Sequence, residues 1–407
     1  MHVLPLFCLL SLATSFTPLP NFIVPLHHPP LSLFSTKATP RLPPRKLYPL
    51  PDPSSTDSLN TSLGPSGLGL SPFISSLSSL SAGFCNWVYK VTATLPAYPA
   101  PLSTEYVAKV FSPMAKVRVS PEFRGIVDIA ASATAIHGVT HGSIGPELVY
   151  NDENCIVSVL IPGKELAEAD VHGSEAGNFG DGRALVPKIA ARVAQLHSLE
   201  LPTEMPHMLW STVRAMLTYI AGKGGAVDEL RTTVDKLQAD IDELRCKEVT
   251  GHGDLKPTNV MVTPAGDVVL IDFELSGPNY RGFDLCKLFR TSKRTDNTDA
   301  NMREFMSAYV REVGGEAGGR GSDCDDECAD SCAASVDLLI GEAALFLPLT
   351  WFEAGVFFLF AAYCDPAQEQ RWLELSRDRM GEYDKVMLEF EKRKEDYRAA
   401  KIKALAV

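Results

Sequence analysis

Residues 252–284 read HGDLKPTNVMVTPAGDVVLIDFELSGPNYRGFD, and this run decides the fold. His252, Asp254 and Asn259 fall in a short loop, followed by the turn Pro264–Asp267. The apolar strand Val268–Ile271 then delivers Asp272 at its end. Phosphoryl transfer from ATP needs few parts, in fixed places. One carboxylate receives the proton of the attacking hydroxyl. A second carboxylate and an amide oxygen hold magnesium against the phosphates. Asp254, Asp272 and Asn259 are the right residue types in the right order, with a β-hairpin between them. The bland alternative is a polar surface loop with Asp272 capping a strand. The turn and the Asp-Phe at the strand's end weigh against it.

HGDLKPTN is similar to the catalytic loop of eukaryotic protein kinases, in which Lys256 would stand beside the γ-phosphate. However, Asp272-Phe273 is followed by Glu274 rather than glycine, and neither an Ala-Pro-Glu nor a G-x-G-x-x-G-x-V element is present. The run Ile271–Asp284 (IDFELSGPNYRGFD) instead resembles the signature of the choline/ethanolamine kinase family. Flanking segments keep that family's order. Leu80–Val91 resembles its nucleotide-loop hairpin, with Gly83 at the turn, and Tyr106–Phe111 resembles the next strand, with Lys109 as its basic residue. Ile161–Leu166 resembles the segment between lobes, and Ile189–Ser198 the helix after it.

The resemblance implies an α+β, two-lobed protein-kinase-like fold. A small β-rich lobe is expected over 78–163 and a larger, mostly helical lobe over 164–400. It implies an ATP-dependent kinase with Mg²⁺ as cofactor, acting on a small amino alcohol and supplying phospholipid head groups. Asp254 would be the base, His252 would brace the loop and Lys256 would add charge near the γ-phosphate. Lys109, Gly83 and Asn86 would face the nucleotide, with Asp128, nearer the family position, or Glu122 as the helix acid beside Lys109. Asn259, Asp272 and Glu274 would serve the metal. Asp284, Glu353 and Phe357 are the candidate acceptor residues, while Arg281 and Asp284 are also expected to form an internal ion pair. The family's late helix carries two tryptophans around a glycine, but here Ala354 and Phe357 stand at those places. A weaker aromatic cage favours ethanolamine over choline. The alternatives are another kinase of the same fold, acting on an aminoglycoside, a sugar or a protein, and a nucleotide-binding scaffold without catalysis.

A chain of 407 residues with 45% hydrophobic content can bury a large core. A formal charge of −12 excludes broad nucleic-acid binding, which needs clustered Lys and Arg. Nine cysteines at irregular spacings show no disulfide framework and favour a reducing compartment. Cys324, Cys328 and Cys332 would share a helix face, but a metal site wants a fourth ligand and tighter spacing. The stretch 314–333 is therefore expected to be a solvated acidic insert.

Residues 1–70 are expected to be a presequence without a fold of its own. Residues 1–15 are signal-like, and 16–51 are basic, hydroxyl-rich and free of acid, as in a transit peptide. The pair resembles bipartite plastid presequences of algae with secondary plastids. Farther along, alternation predicts strands at Phe84–Thr94 and Glu105–Phe111, and helical periodicity covers Glu122–His137. Val227–Arg245 places Leu230, Val234, Leu237, Ile241 and Leu244 on one stripe of a surface helix. Leu345–Tyr363 is the most apolar window, but Pro348 and Glu353 interrupt it, so a buried helix is expected rather than a transmembrane segment. A single amphipathic helix is expected over Gln370–Ala399.

Overall fold

The computed structural model describes residues 74–406, apart from 83–84, 96–101, 121–122, 124, 134–143, 152–154, 174–176, 180–182, 203, 292–293 and 316–325. The presequence, Gly83, Glu122 and Cys324 therefore lie outside the described residues, as does the side chain of Cys328.

Five antiparallel strands form the small lobe: β1 (Ile74–Ala82), β2 (Asn86–Leu95), β3 (Leu102–Phe111), β4 (Leu148–Asn151) and β5 (Cys155–Val159), in the order β1-β2-β3-β5-β4. Alternation along β2 and β3 buries Tyr89, Val91, Ala93, Tyr106, Ala108 and Val110 on one side of the pleat. Lys109 is on the other side, opposite Val88 and Ile156 at the middle of the sheet. The expected helix over 122–137 is described as Ile126–Ala133, and it carries Asp128.

Two short strand systems place the chemistry in the large lobe. Strand β6 (Lys164–Glu165) pairs with β8 (Val260–Val262), which pairs with β9 (Val268–Leu270). Strand β7 (Glu248–Gly251) pairs with β10 (Gly277–Tyr280), setting Gly251 opposite Gly277. The loop 252–259 thus leaves one ladder and enters another, so both its ends are fixed. Leu270 also donates its N–H to the Ile144 carbonyl at 2.9 Å, tying β9 to the chain between α-helix Ile126–Ala133 and β4.

Helices supply most of the core. The helix Asp228–Leu244 buries the five predicted stripe residues and ends on Arg245 in the left-handed region, at φ 50°. The helix Leu347–Cys364 is buried on nearly all sides, and its Phe352 and Phe360 are among the largest fully buried side chains. Ser331–Cys364 is one run long and apolar enough to cross a membrane, and 78% of its most apolar window is buried inside the protein.

Within the stretch 314–333, Gly314 and Gly315 end the helix Asp296–Gly315, and residues from Asp326 onward begin the helix Asp326–Leu345. One expectation needs correction. The last helix is two, Glu369–Met387 and Phe390–Ala406. The chain breaks where Phe390 turns into the core at 2% exposure and Leu388 is left 88% exposed.

Candidate active site

Gly253 explains how the loop 252–259 can bend as it does. It adopts φ +76°, and a Cβ there would meet the Leu275 carbonyl oxygen at 2.2 Å, so only glycine fits. Asp284, fully buried in the helix Arg281–Phe289, lies beneath the bend and accepts from the backbone N–H groups of His252 and Gly253. His197 reaches the same carboxylate at 3.2 Å and is itself held by the Tyr309 hydroxyl at 2.9 Å. Burial works to raise the Asp284 carboxyl, but His197 and the loop around His252 hold it below the usual carboxylate range.

His252 is fully buried, and its ring spans the site's base. Nε2 lies 2.9 Å from the Ile271 carbonyl and Nδ1 lies 3.4 Å from the Asp254 N–H, so the tautomer protonated at Nε2 satisfies both. Asn259 donates Nδ2 to the Asp254 carbonyl at 2.8 Å, which leaves its oxygen as the atom a cation can use.

Asp254 meets a lysine on each oxygen: Lys287 at 3.0 Å and Lys256 at 3.0 Å. Burial pushes its carboxyl up, yet the two ammonium groups override this and hold it far below the usual range. It is therefore ionised at any pH near neutrality. Lys256 is half exposed and Lys287 is buried. Across the cleft Asp272 pairs with Lys109. Burial opposes both charges, but the pairing wins: the carboxyl is lowered and the ammonium raised. Asp272 itself sits at φ 70°, in the left-handed region. Asp128 is close enough to feel Lys109 but makes no ion pair with it; burial, offset by Lys109, raises its carboxyl to about 6.

A row of alternating charge links the rest. Glu274 meets Arg118 at 3.6 Å, Arg118 meets Glu353 at 3.7 Å, and Glu353 meets Lys287 at 3.2 Å, from which the row continues to Asp254. Arg118 also lies 4.6 Å over the Phe357 ring and donates to the Cys85 sulfur at 3.2 Å.

These contacts bring together His252, Asp254, Lys256, Asn259, Asp272 and Lys109. They reassign two other residues, Asp284 and Arg281. Asp284 cannot take an acceptor, because it is fully buried and both its oxygens hold the loop. Its expected ion pair with Arg281 is absent: Arg281 pairs with Glu342, which also accepts from the Gly282 N–H at 3.1 Å. Glu274 accepts from Asn86 and meets Arg118, a contact that joins strand β2, the helix after β3 and the turn after Asp272. Asn86 gives its side-chain amide nitrogen to Glu274. Glu353 and Phe357, the candidate acceptor residues, each lie beside a protein cation. Lys287 and Arg118 have no counterpart in the sequence reading. The one local signal is that Lys287 stands three residues after Asp284, on the same helix face.

Among the described residues no cluster of three His, Cys, Asp or Glu side chains could hold a metal on its own. The Asn259 oxygen and the Asp272 carboxylate are nevertheless hard oxygen donors, and Mg²⁺ is commonly held by one or two protein oxygens with substrate phosphates and water. The donor set fits magnesium carried with a nucleotide. The described cysteines, Cys85, Cys155, Cys246, Cys286, Cys332 and Cys364, are free thiols.

The family model for choline/ethanolamine kinases matches residues 78–384. A human choline/ethanolamine kinase is 29% identical over 176 residues, which cover 40% of this chain and 42% of that protein. A probable choline kinase of Arabidopsis thaliana is 22% identical over 197 residues, 43% of this chain and 54% of the relative. The matched stretches thus span about half or less of these relatives' length. Among solved structures, the ethanolamine kinase of Plasmodium vivax aligns with TM-score 0.52 at 16% identity, covering 76% of this chain and 81% of its own. The choline kinase of Cryptosporidium parvum aligns with TM-score 0.53 at 14% identity, covering 79% and 91%. The two-lobed protein-kinase-like fold expected from the sequence is the one these structures share.

Proposed function

Because this chain belongs to the choline/ethanolamine kinase family, we propose that it transfers the γ-phosphoryl group of ATP to the hydroxyl of a small amino alcohol, ethanolamine first. The observation that carries the reading is the Asp254 carboxylate, ionised between two lysines and hydrogen-bonded to Asn259 at 3.3 Å.

Asp254 orients the acceptor hydroxyl and takes its proton as the new P–O bond forms and the bond from the γ-phosphorus to the bridging oxygen breaks, releasing ADP. A weakly basic carboxylate is adequate, because the proton moves late in a loose transition state. Lys256, half exposed at the mouth of the site, screens the negative charge shared between Asp254 and the transferring phosphoryl group. Lys109 pairs with phosphate oxygens once its hold on Asp272 relaxes. The Asn259 oxygen and Asp272 would hold magnesium, which neutralises charge on the phosphates. His252 contributes by fixing the loop through Ile271 and Asp254. The product, a phosphorylated amino alcohol, is a phospholipid head-group precursor.

The test is ATP turnover by the purified chain with ethanolamine, choline and a neutral diol, each repeated with Asp254→Asn. Turnover confined to the amines and lost in the variant supports the reading. Absence of turnover with either amine, or full activity in the variant, overturns it.

A further inference from the structure

The ε-ammonium of Lys287 occupies a complete ammonium site. Its three N–H groups have three acceptors: the Gly253 carbonyl at 3.1 Å, Asp254 Oδ1 at 3.0 Å and Glu353 Oε2 at 3.2 Å. The Phe283 ring lies 5.1 Å from the same nitrogen. Two carboxylates, a carbonyl and an aromatic face are what a protein offers a bound organic cation, and here the chain supplies the cation. The second aromatic face at this end, Phe357, is covered by the Arg118 guanidinium at 4.6 Å, and Arg118 also reaches the other oxygen of Glu353.

A quaternary ammonium has no N–H and binds through aromatic faces and diffuse attraction to carboxylates. Both faces and both carboxylates already have protein cations on them. A primary ammonium is different: it is small and can hydrogen-bond to lone pairs that Asp254 and Glu353 still have, since each carboxylate accepts about four bonds.

Building on the amino-alcohol reading, we propose that Lys287 sets acceptor specificity. Its ammonium, with Arg118, fills the cage that a quaternary ammonium would need, so the site takes primary amino alcohols and refuses choline. Lys287 is a specificity residue, placed behind the base and not in the path of the transferred group.

Two measurements test this. The first compares kcat/KM for choline over ethanolamine in the wild-type chain, Lys287→Ala and Lys287→Arg. Lys287→Ala is expected to raise that ratio at least tenfold, while Lys287→Arg, which keeps a cation, leaves it near the wild-type value. An unchanged ratio in a folded, active Lys287→Ala overturns the proposal. The second needs no turnover: binding of tetramethylammonium and ethylammonium is followed by calorimetry on the wild-type chain and on Lys287→Met. Wild type is expected to bind ethylammonium alone, and the variant to gain tetramethylammonium binding. Equal binding of both ions by the wild-type chain overturns the proposal even if no variant folds. If the wild-type chain phosphorylates neither amine, the amino-alcohol reading falls, and the binding comparison still decides whether the cage is filled.

Discussion

The two ends of the cleft handle charge in opposite ways. At the phosphoryl end, Asp272 pairs with Lys109 alone, and Asn259 keeps its oxygen for an incoming cation. At the acceptor end, Glu353 is bridged by Lys287 and Arg118, and Lys287 is held in turn by three acceptors. One end is left able to receive charge. The other is already neutralised from within, and an acceptor must enter on its terms. Under the function proposed above, the contrast separates a general task, holding phosphates and magnesium, from a selective one, choosing among small alcohols.

Removing the base tests where the two ends meet. Asp254→Asn is expected to lower kcat by about 10³-fold, the usual scale of a lost general base. Its melting temperature should change little by comparison, and a kcat within tenfold of wild type would mean that the proton goes elsewhere.

Beneath both ends lies a third charged layer that should matter for folding only. Glu342 is fully buried and holds Arg281 and the Gly282 N–H. Glu342→Ala strands a mostly buried guanidinium and is expected to cost about 3 kcal/mol in urea unfolding. The choline-to-ethanolamine ratio should not move. A shifted ratio would tie this layer to selectivity and blur the distinction.

The smallest effect belongs to Asp128. Its carboxyl is raised to about 6 in the fold, against about 3.9 when unfolded. Between those values the folded chain holds a proton that the unfolded chain has released, so stability falls as pH rises from about 4 to about 6. The full penalty is present at pH 7.5. Asp128→Asn should therefore stabilise the nucleotide-free protein at pH 7.5 and have little effect at pH 4. Thermal melts at the two pH values check this, and equal effects at both would show that Asp128 is not strained by its charge.

The phosphoryl end was legible in the sequence because its parts are close together in the chain. His252, Asp254, Asn259 and Asp272 lie within one loop and hairpin, where residue type and spacing carry the geometry. The stripe of Asp228–Leu244 was legible for a similar reason, since helical periodicity is local. At the acceptor end Glu353 and Phe357 could be named, but the cations that hold them could not. Arg118, Lys287 and Glu353 come from three separate helices and meet only through packing. A lysine or an arginine among apolar neighbours gives no local sign of which carboxylate it will find. Strand β1 was hidden differently: ISSLSSLSA has few residues that favour strands, and pairing with β2 makes it one. The break before Phe390 carries no glycine or proline, so nothing in the chain announces it.

The left-handed backbone at Asp272 bears on how this site can drift through mutation. At φ 70°, aspartate and asparagine are among the few residues with a side chain that sit there readily. Glutamate would keep the charge but not the ease of that conformation; asparagine would keep the conformation and lose the charge. The substitution closest in chemistry is thus the more disruptive to the fold, and the one easiest on the fold removes the charge. A position with that dilemma has few neutral neighbours in sequence space, and its identity is fixed as firmly by its torsion angles as by any ion it holds.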